Sequence, residues 1–272
     1  MVDQASTQRE RETMARRGSG ALEWKLLLAL ALVLSAPSVA LSDQQAASQS
    51  VQPDEFSKPL YTPPKNEELK KKLTLRARLG GAMHGTEGTE LEVQALVPDH
   101  VGLTANRNPA LNWFLSKQTT HKIRFTLADN RISRPLREVP IPTPTRAGIQ
   151  TIDLKKLEVA LDPDVQYYWY VSVIRNSDSP SQEDIMAGGV IERCDISECL
   201  TAMGARLTCA QQVVLENARA GFWYDAMGCL CNLIDLNPAD MQLRKLRAAL
   251  LREVGLNDVA DWDLRSILTP VR

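Results

Sequence analysis

The stretch "LDPDVQYYWYV", residues 161–171, sets Leu161, Pro163, Val165, Tyr167, Trp169 and Val171 at strict alternate positions. A period of two over this length describes a strand with one buried face. Such a strand cannot stand alone, because its apolar side needs paired neighbours and an opposing layer. Suitable neighbours lie between residues 91 and 194. "LEVQALV" stops at Pro98, "ALNWFL" ends at Leu115, and "HKIRFTL" sets Ile123, Phe125 and Leu127 opposite Lys122, Arg124 and Thr126. "LREV", "IQTIDL", "QYYWYVSVI" and "GGVIERC" follow, divided by turn signals and the loop "PIPTPTRAG". About seven strands at this spacing predict a β-sandwich over residues 77–195.

After Cys199 the period becomes helical, and residues 196–272 read as a C-terminal helical module. "LTCAQQVVLENARAG" stops at Gly221, where a glycine ends a helix without steric cost. "AGFWYDAMGCLCNLIDLNP" predicts a helix from about Trp223 to Leu236, closed by Asn237 and Pro238. A third helix ends at Gly255, and "DVADWDLRSIL" gives a short last one. Leu243, Leu246, Leu250 and Val254 form its predecessor's apolar stripe. Phe222, Trp223, Met227, Leu230 and Leu233 are expected to fill the space between helices, with Ala226 permitting close approach. Arg244 and Arg247 fall where apolar residues are expected. Asp225 reads as a first-turn carboxylate at a helix N-terminus.

Arg16 and Arg17 precede the apolar run "LLLALALVLSA", and Ser38 and Ala40 supply a small-x-small exit. This is the pattern of a secretory signal over residues 1–40. The run is shorter than the roughly 20 apolar residues of a membrane span, so membrane contact is expected only through an uncleaved signal. Residues 41–76 read as an extended, proline-containing linker or surface arm, with Lys70, Lys71 and Lys72 balanced by Glu67 and Glu68. A net charge of −1 gives no field for nucleic acid. An exported chain meets conditions in which disulfides persist. All five cysteines follow residue 193, and bridges Cys194–Cys199 and Cys209–Cys229 are compatible with that address, as are free buried thiols.

No G-x-S-x-G, H-E-x-x-H or Walker loop occurs, so no catalytic residue is assigned. No cofactor and no metal site is expected either. His84, His100 and His121 lack metal-ligand spacing and read as surface or turn residues. Asp162 and Asp164 read as turn formers around Pro163. The glycines between Gly80 and Gly88 read as a loop entering the first strand. The expected contact surface is the polar loop "RNSDSPSQED", with Arg175, Asp178, Glu183 and Asp184, beside the "SKQTT" turn at the same end.

The alternation ending in Tyr167 resembles the tyrosine corner of fibronectin type III domains. That resemblance implies a hydroxyl bonded to backbone just upstream, and a core tryptophan at Trp113. Gly221 and Gly255 lie 34 residues apart, as do Ala226 and Ala260. This is the period of tetratricopeptide repeats, and "AGFWYDAM…LNP" resembles their second helix. In order, "PLYTPP", "RARLGGAMHG", "ALVPDHVGLTANRNPALNWFLS", "YYWYVSVI", "AGGVIER" and "AGFWYDAM…LRAALLREVGL" resemble an exported cyanobacterial family classed as a domain of unknown function, DUF928. The resemblance implies a periplasmic or extracellular protein. The expectation is a non-catalytic binding or adaptor module for a protein or wall polymer. The alternative is an envelope hydrolase with a carboxylate site where sandwich and helices meet.

Overall fold

The structure, a computed structural model, describes residues 58–65, 79–80, 91–132, 134–143, 145–174, 184–194 and 208–266. All belong to one compact unit, Gln52–Arg272. The signal-like segment, the lysine run, His84, Arg175, Asp178, Glu183 and Cys199 lie outside the described residues.

The chain is β-rich, with two sheets followed by four helices. The strands are β1 (Leu79–Gly80), β2 (Val93–Ala95), β3 (Gly102–Thr104), β4 (Ala110–Leu115), β5 (Lys122–Asp129), β6 (Pro135–Ile141), β7 (Gly148–Asp153), β8 (Gln166–Ile174) and β9 (Ile185–Arg193). One sheet has the order β1-β2-β4-β7 and the other β3-β9-β8-β5-β6. All pairings are antiparallel except β3 with β9.

Alternation decides what each strand buries. On β8, Tyr167, Trp169, Val171 and Val173 are buried, while the residues between them are partly exposed. On β5, Ile123, Phe125 and Leu127 point inward, and Lys122 and Arg124 outward. β4 is buried on both faces. Trp113 is in the core, whereas Phe114 on the opposite side meets Trp262 edge-on at 5.1 Å. The Asp162 N–H donates to the Tyr167 hydroxyl at 3.1 Å, so the turn before β8 is tied to the strand it feeds.

The helices are α1 (Gln211–Arg219), α2 (Trp223–Leu236), α3 (Met241–Glu253) and α4 (Asn257–Arg265). α1 packs on α2 and α3 on α4, and α2 touches α3, β4 and β3. Asp240 caps α3 by accepting from the Gln242 and Leu243 amides. Gly221 turns the chain from α1 to α2 at φ +88°, a conformation that other residues adopt only with strain. One continuous apolar core includes residues of both sheets and of all four helices.

Four expectations change. First, Arg244 and Arg247 are not misplaced apolar positions. Arg247, 3% exposed, reaches Asp263, 1% exposed, through Nε to Oδ2 at 2.8 Å and Nη2 to Oδ1 at 2.6 Å. Arg244 Nη1 adds 2.8 Å to Oδ1. Second, Trp223 serves the sheets as well as the helices, since its Nε1–H donates to the Leu96 carbonyl at 2.8 Å.

Third, part of the expected linker is a strap. Leu60 and Tyr61 are buried, and their amides donate to the two oxygens of Glu253 at 2.7 and 2.8 Å. Thr62 N–H donates to Ala218 O at 3.0 Å. Fourth, His100 is buried rather than on the surface. Its ring stacks on Tyr61 at 5.8 Å, and Nδ1 lies 2.9 Å from Val101 O. Nδ1 therefore donates, which leaves Nε2 to accept from the Tyr61 hydroxyl at 3.3 Å.

Cys194 is disulfide-bonded. The expected bridge between Cys209 and Cys229 is not formed, since both are free thiols, as is Cys231.

Candidate functional site

Two places deserve weighing: the junction of sheets and helices, and the loop end of the five-stranded sheet. The junction is built by three consecutive residues at the start of α2. Trp223 bonds to Leu96 as described. The Tyr224 hydroxyl accepts from Trp169 Nε1–H at 2.9 Å and donates to Val190 O at 3.1 Å. Gly102 leaves room for that ring, because a Cβ there would lie 2.5 Å from Tyr224 Cε2. Asp225 Oδ2 accepts from Ala105 N–H at 2.8 Å. Each polar tip at the junction has a partner, and Trp223 and Tyr224 are buried.

Desolvation pushes the Asp225 carboxyl up to about 6, against bonds from the Ala105 N–H, the Thr104 side chain and the Asn106 N–H that pull it down. The folded state thus holds this proton more tightly than the unfolded chain, whose reference value is 3.8. This contribution to stability is fully present below the unfolded value and is lost as pH rises through about 6. Wild type is expected to lose ~2 kcal/mol relative to Asp225→Asn between about pH 4 and 7. Urea melts of both proteins at the two pH values measure it. An unchanged difference would mean that the carboxylate is solvated.

The loop end is open. A groove of about 530 Å³ is lined by Lys122, Arg124, Glu138, Pro140, Pro142, Thr143 and Ile174, with further apolar residues of β5 and β6. The register explains why these residues meet: Lys122 stands opposite Ile174, and Ile123 opposite Ile141. The start of β5, the end of β6 and the end of β8 therefore share one rim. Arg124 and Glu138 form an exposed ion pair at 3.5 Å, worth little in water but fixing one wall's polarity. β6 is an edge strand, and Pro135 and Pro140 remove amides from it.

Two loops brace this rim. Thr119 N–H donates to Thr145 O at 3.0 Å, and Thr145 N–H donates back at 2.9 Å. The "SKQTT" turn is thereby tied to the "PIPTPTRAG" loop. β8 ends at this rim with Ile174, and Asp184, half-buried, stands just ahead of β9. Sequence reasoning missed the groove. Its lining comes from three strands that only the register brings together.

The other site residues have structural posts. Trp113, Tyr167, Trp169, Trp223 and Ala226 are buried in the core, and Gly221 makes the turn before α2. Among the described residues there is no cluster of three His, Cys, Asp or Glu side chains able to hold a metal ion. Among the same residues no helix is long and apolar enough to cross a membrane.

No curated protein matches the chain. A multi-domain immunophilin from Arabidopsis thaliana is similar at 9% identity, covering 66% of this chain and 95% of that one. Its TM-score of 0.16 is too slight a likeness to bear on fold or function. A family model described as Domain of Unknown Function (DUF928) matches residues 78–264, which span both sheets and all four helices. The chain belongs to the DUF928 family.

Proposed function

We propose that this chain is an exported, non-catalytic binding module whose loop-end groove contacts an envelope protein or a wall polymer. The groove of about 530 Å³ carries the reading, because it opens where the start of β5, the end of β6 and the end of β8 share one rim. Its rim offers Lys122 and Arg124 against Glu138, a basic balance suited to an acidic or hydrogen-bond-rich partner. Export rests on the charged, apolar and small-residue pattern of residues 16–40. The cyanobacterial setting rests on family resemblance.

The same reading takes the two sheets as an immunoglobulin-like sandwich of fibronectin type III kind. The Asp162–Tyr167 bond and the buried Trp113 support it. The helix pairs, with positive-φ glycines 34 residues apart at Gly221 and Gly255, support a tetratricopeptide-like module. A hydrolase centred on the junction has less support: the Asp225 carboxylate is engaged by loop donors, and Trp223 and Tyr224 fill the space beside it.

The test is a capture experiment on the full chain with two separate inputs, soluble envelope proteins and insoluble wall polymer. Lys122→Glu/Arg124→Glu is run beside wild type, with circular dichroism as the folding control. Retention from one input, reduced about tenfold or more in the folded variant, is the expected result. Equal retention by both proteins removes the groove from the reading. No retention from either input removes the binding function.

A further inference from the structure

We propose that the outer face of the five-stranded sheet, running from the groove to Tyr170, binds an acidic polysaccharide. The inference rests on the binding-module reading and names the partner's chemistry. Register assembles this face. Lys122 stands opposite Ile174, Arg124 opposite Ser172 and Pro140, and Thr126 opposite Tyr170 and Glu138. Across the next pairing, Tyr170 stands opposite Gly188 and Ser172 opposite Met186. The alternate residues Ile123, Phe125, Val171 and Val173 are buried in the core, so this set points the other way. Lys122, Arg124, Glu138 and Pro140 are exposed, Met186 is 49% exposed, and Thr126, Tyr170 and Ser172 are partly so.

Two observations choose the partner, and the first is charge. Between Ser116 and Ala147 the chain carries seven Lys or Arg against two Asp or Glu, although the whole chain has 32 against 33. One of those two acids, Asp129, is buried and already bound by Arg131. Glu138 is the one acid among the described residues that line the groove with Lys122 and Arg124. The Thr119–Thr145 bridge joins the loops that carry exposed Lys117 and Arg146. This surplus attracts a polyanion and is screened by salt. The second observation is the ring. A Cβ on Gly188 would lie 2.5 Å from Tyr170 Cδ1, so the ring leans over β9 into space the glycine leaves. Its exposed side is a platform for the apolar face of a sugar ring. Thr126 and Ser172 offer hydroxyls beside it, and Lys122 and Arg124 supply charge-assisted bonds to sugar carboxylates. A protein partner is less well matched. Protein interfaces deplete charge at their centre, whereas Arg124 and Glu138 stand next to this ring in the register.

Isothermal titration calorimetry of the full chain with polygalacturonate, a polymer of acidic sugars, tests this beside neutral dextran and polyglutamate. Polygalacturonate is expected to bind about tenfold or more tighter than either comparator, and more weakly as salt rises. Tyr170→Ala is expected to lower that affinity about tenfold and to leave any polyglutamate binding unchanged. Lys122→Gln/Arg124→Gln is expected to weaken binding of both acidic polymers. Equal binding of polyglutamate overturns the proposal in favour of an acidic protein, and equal binding of dextran overturns it because charge is then unused. An unchanged affinity in folded Tyr170→Ala overturns it too, as does no binding of polygalacturonate. If wild type still captures an envelope partner through Lys122 and Arg124, only the acidic-sugar assignment falls. If it captures nothing, the binding-module reading falls with it. The three wild-type titrations decide the matter alone if Tyr170→Ala fails to fold.

Discussion

Asp263→Ala is expected to destabilise the chain by about 3–5 kcal/mol. The carboxylate is 1% exposed and accepts three guanidinium bonds, two from Arg247 and one from Arg244. Without it, Arg247 keeps only Cys231 Sγ at 3.4 Å, a weak acceptor, for a charge that is 3% exposed. Arg244 is less affected, because its Nε donates to Pro238 O and its Nη1 also reaches Asp263 O and Ser266 Oγ. The penalty is therefore mainly that of an orphaned Arg247. This does not make the pair itself a large net source of stability, since desolvating both ions offsets much of their attraction. Arg247→Leu/Asp263→Leu should accordingly recover at least half of the single-variant loss. Urea melts of wild type and the two variants check both statements. A loss below about 1 kcal/mol for Asp263→Ala would mean that water reaches the cluster.

That cluster shows where the sequence stops being legible. The stripe Leu243, Leu246, Leu250 is visible from spacing, and all three residues are buried. The acid that answers Arg247 lies on another helix, and no local period announces it. The same limit hides the strap. "PLYTPPK" reads as extended because its prolines favour that backbone, but its amides find their acceptor in Glu253, 192 and 193 residues away. His100 lies in a turn, as spacing suggests, and is buried with Tyr61 of the strap stacked on its ring. Strands were easier. Alternation on "HKIRFTL" and "QYYWYVSVI" predicts which residues are buried on β5 and β8, because period two is a property of the strand itself. β3 was missed, since three residues carry no period and its partner β9 is remote in the chain. The groove depends on register, which no local period announces.

Trp223→Ala is expected to cost about 3–5 kcal/mol and to loosen the strap as well. Trp223 is fully buried, so alanine leaves a cavity that its neighbours only partly close. Two further losses come with it. The Leu96 carbonyl loses its 2.8 Å donor, and Tyr61 loses the ring it meets edge-on at 5.0 Å. Tyr224→Phe separates cavity from hydrogen bonding at the same junction. It keeps the ring but removes the hydroxyl that serves Trp169 Nε1 and Val190 O, for about 1–3 kcal/mol. Chemical denaturation ranks the two variants, and Trp223→Ala should be the worse. Limited proteolysis between Lys58 and Lys65 reads the strap directly. Faster cleavage in Trp223→Ala than in Tyr224→Phe, after matching global stability with urea, would show that the indole holds the strap. Equal cleavage would assign that hold to Glu253, whose carboxylate still takes both strap amides when the indole is gone. In either case the aromatic run that opens α2 works as a plug between helices, strap and sheets, which explains the small residues beside it at Gly221, Ala226 and Gly102.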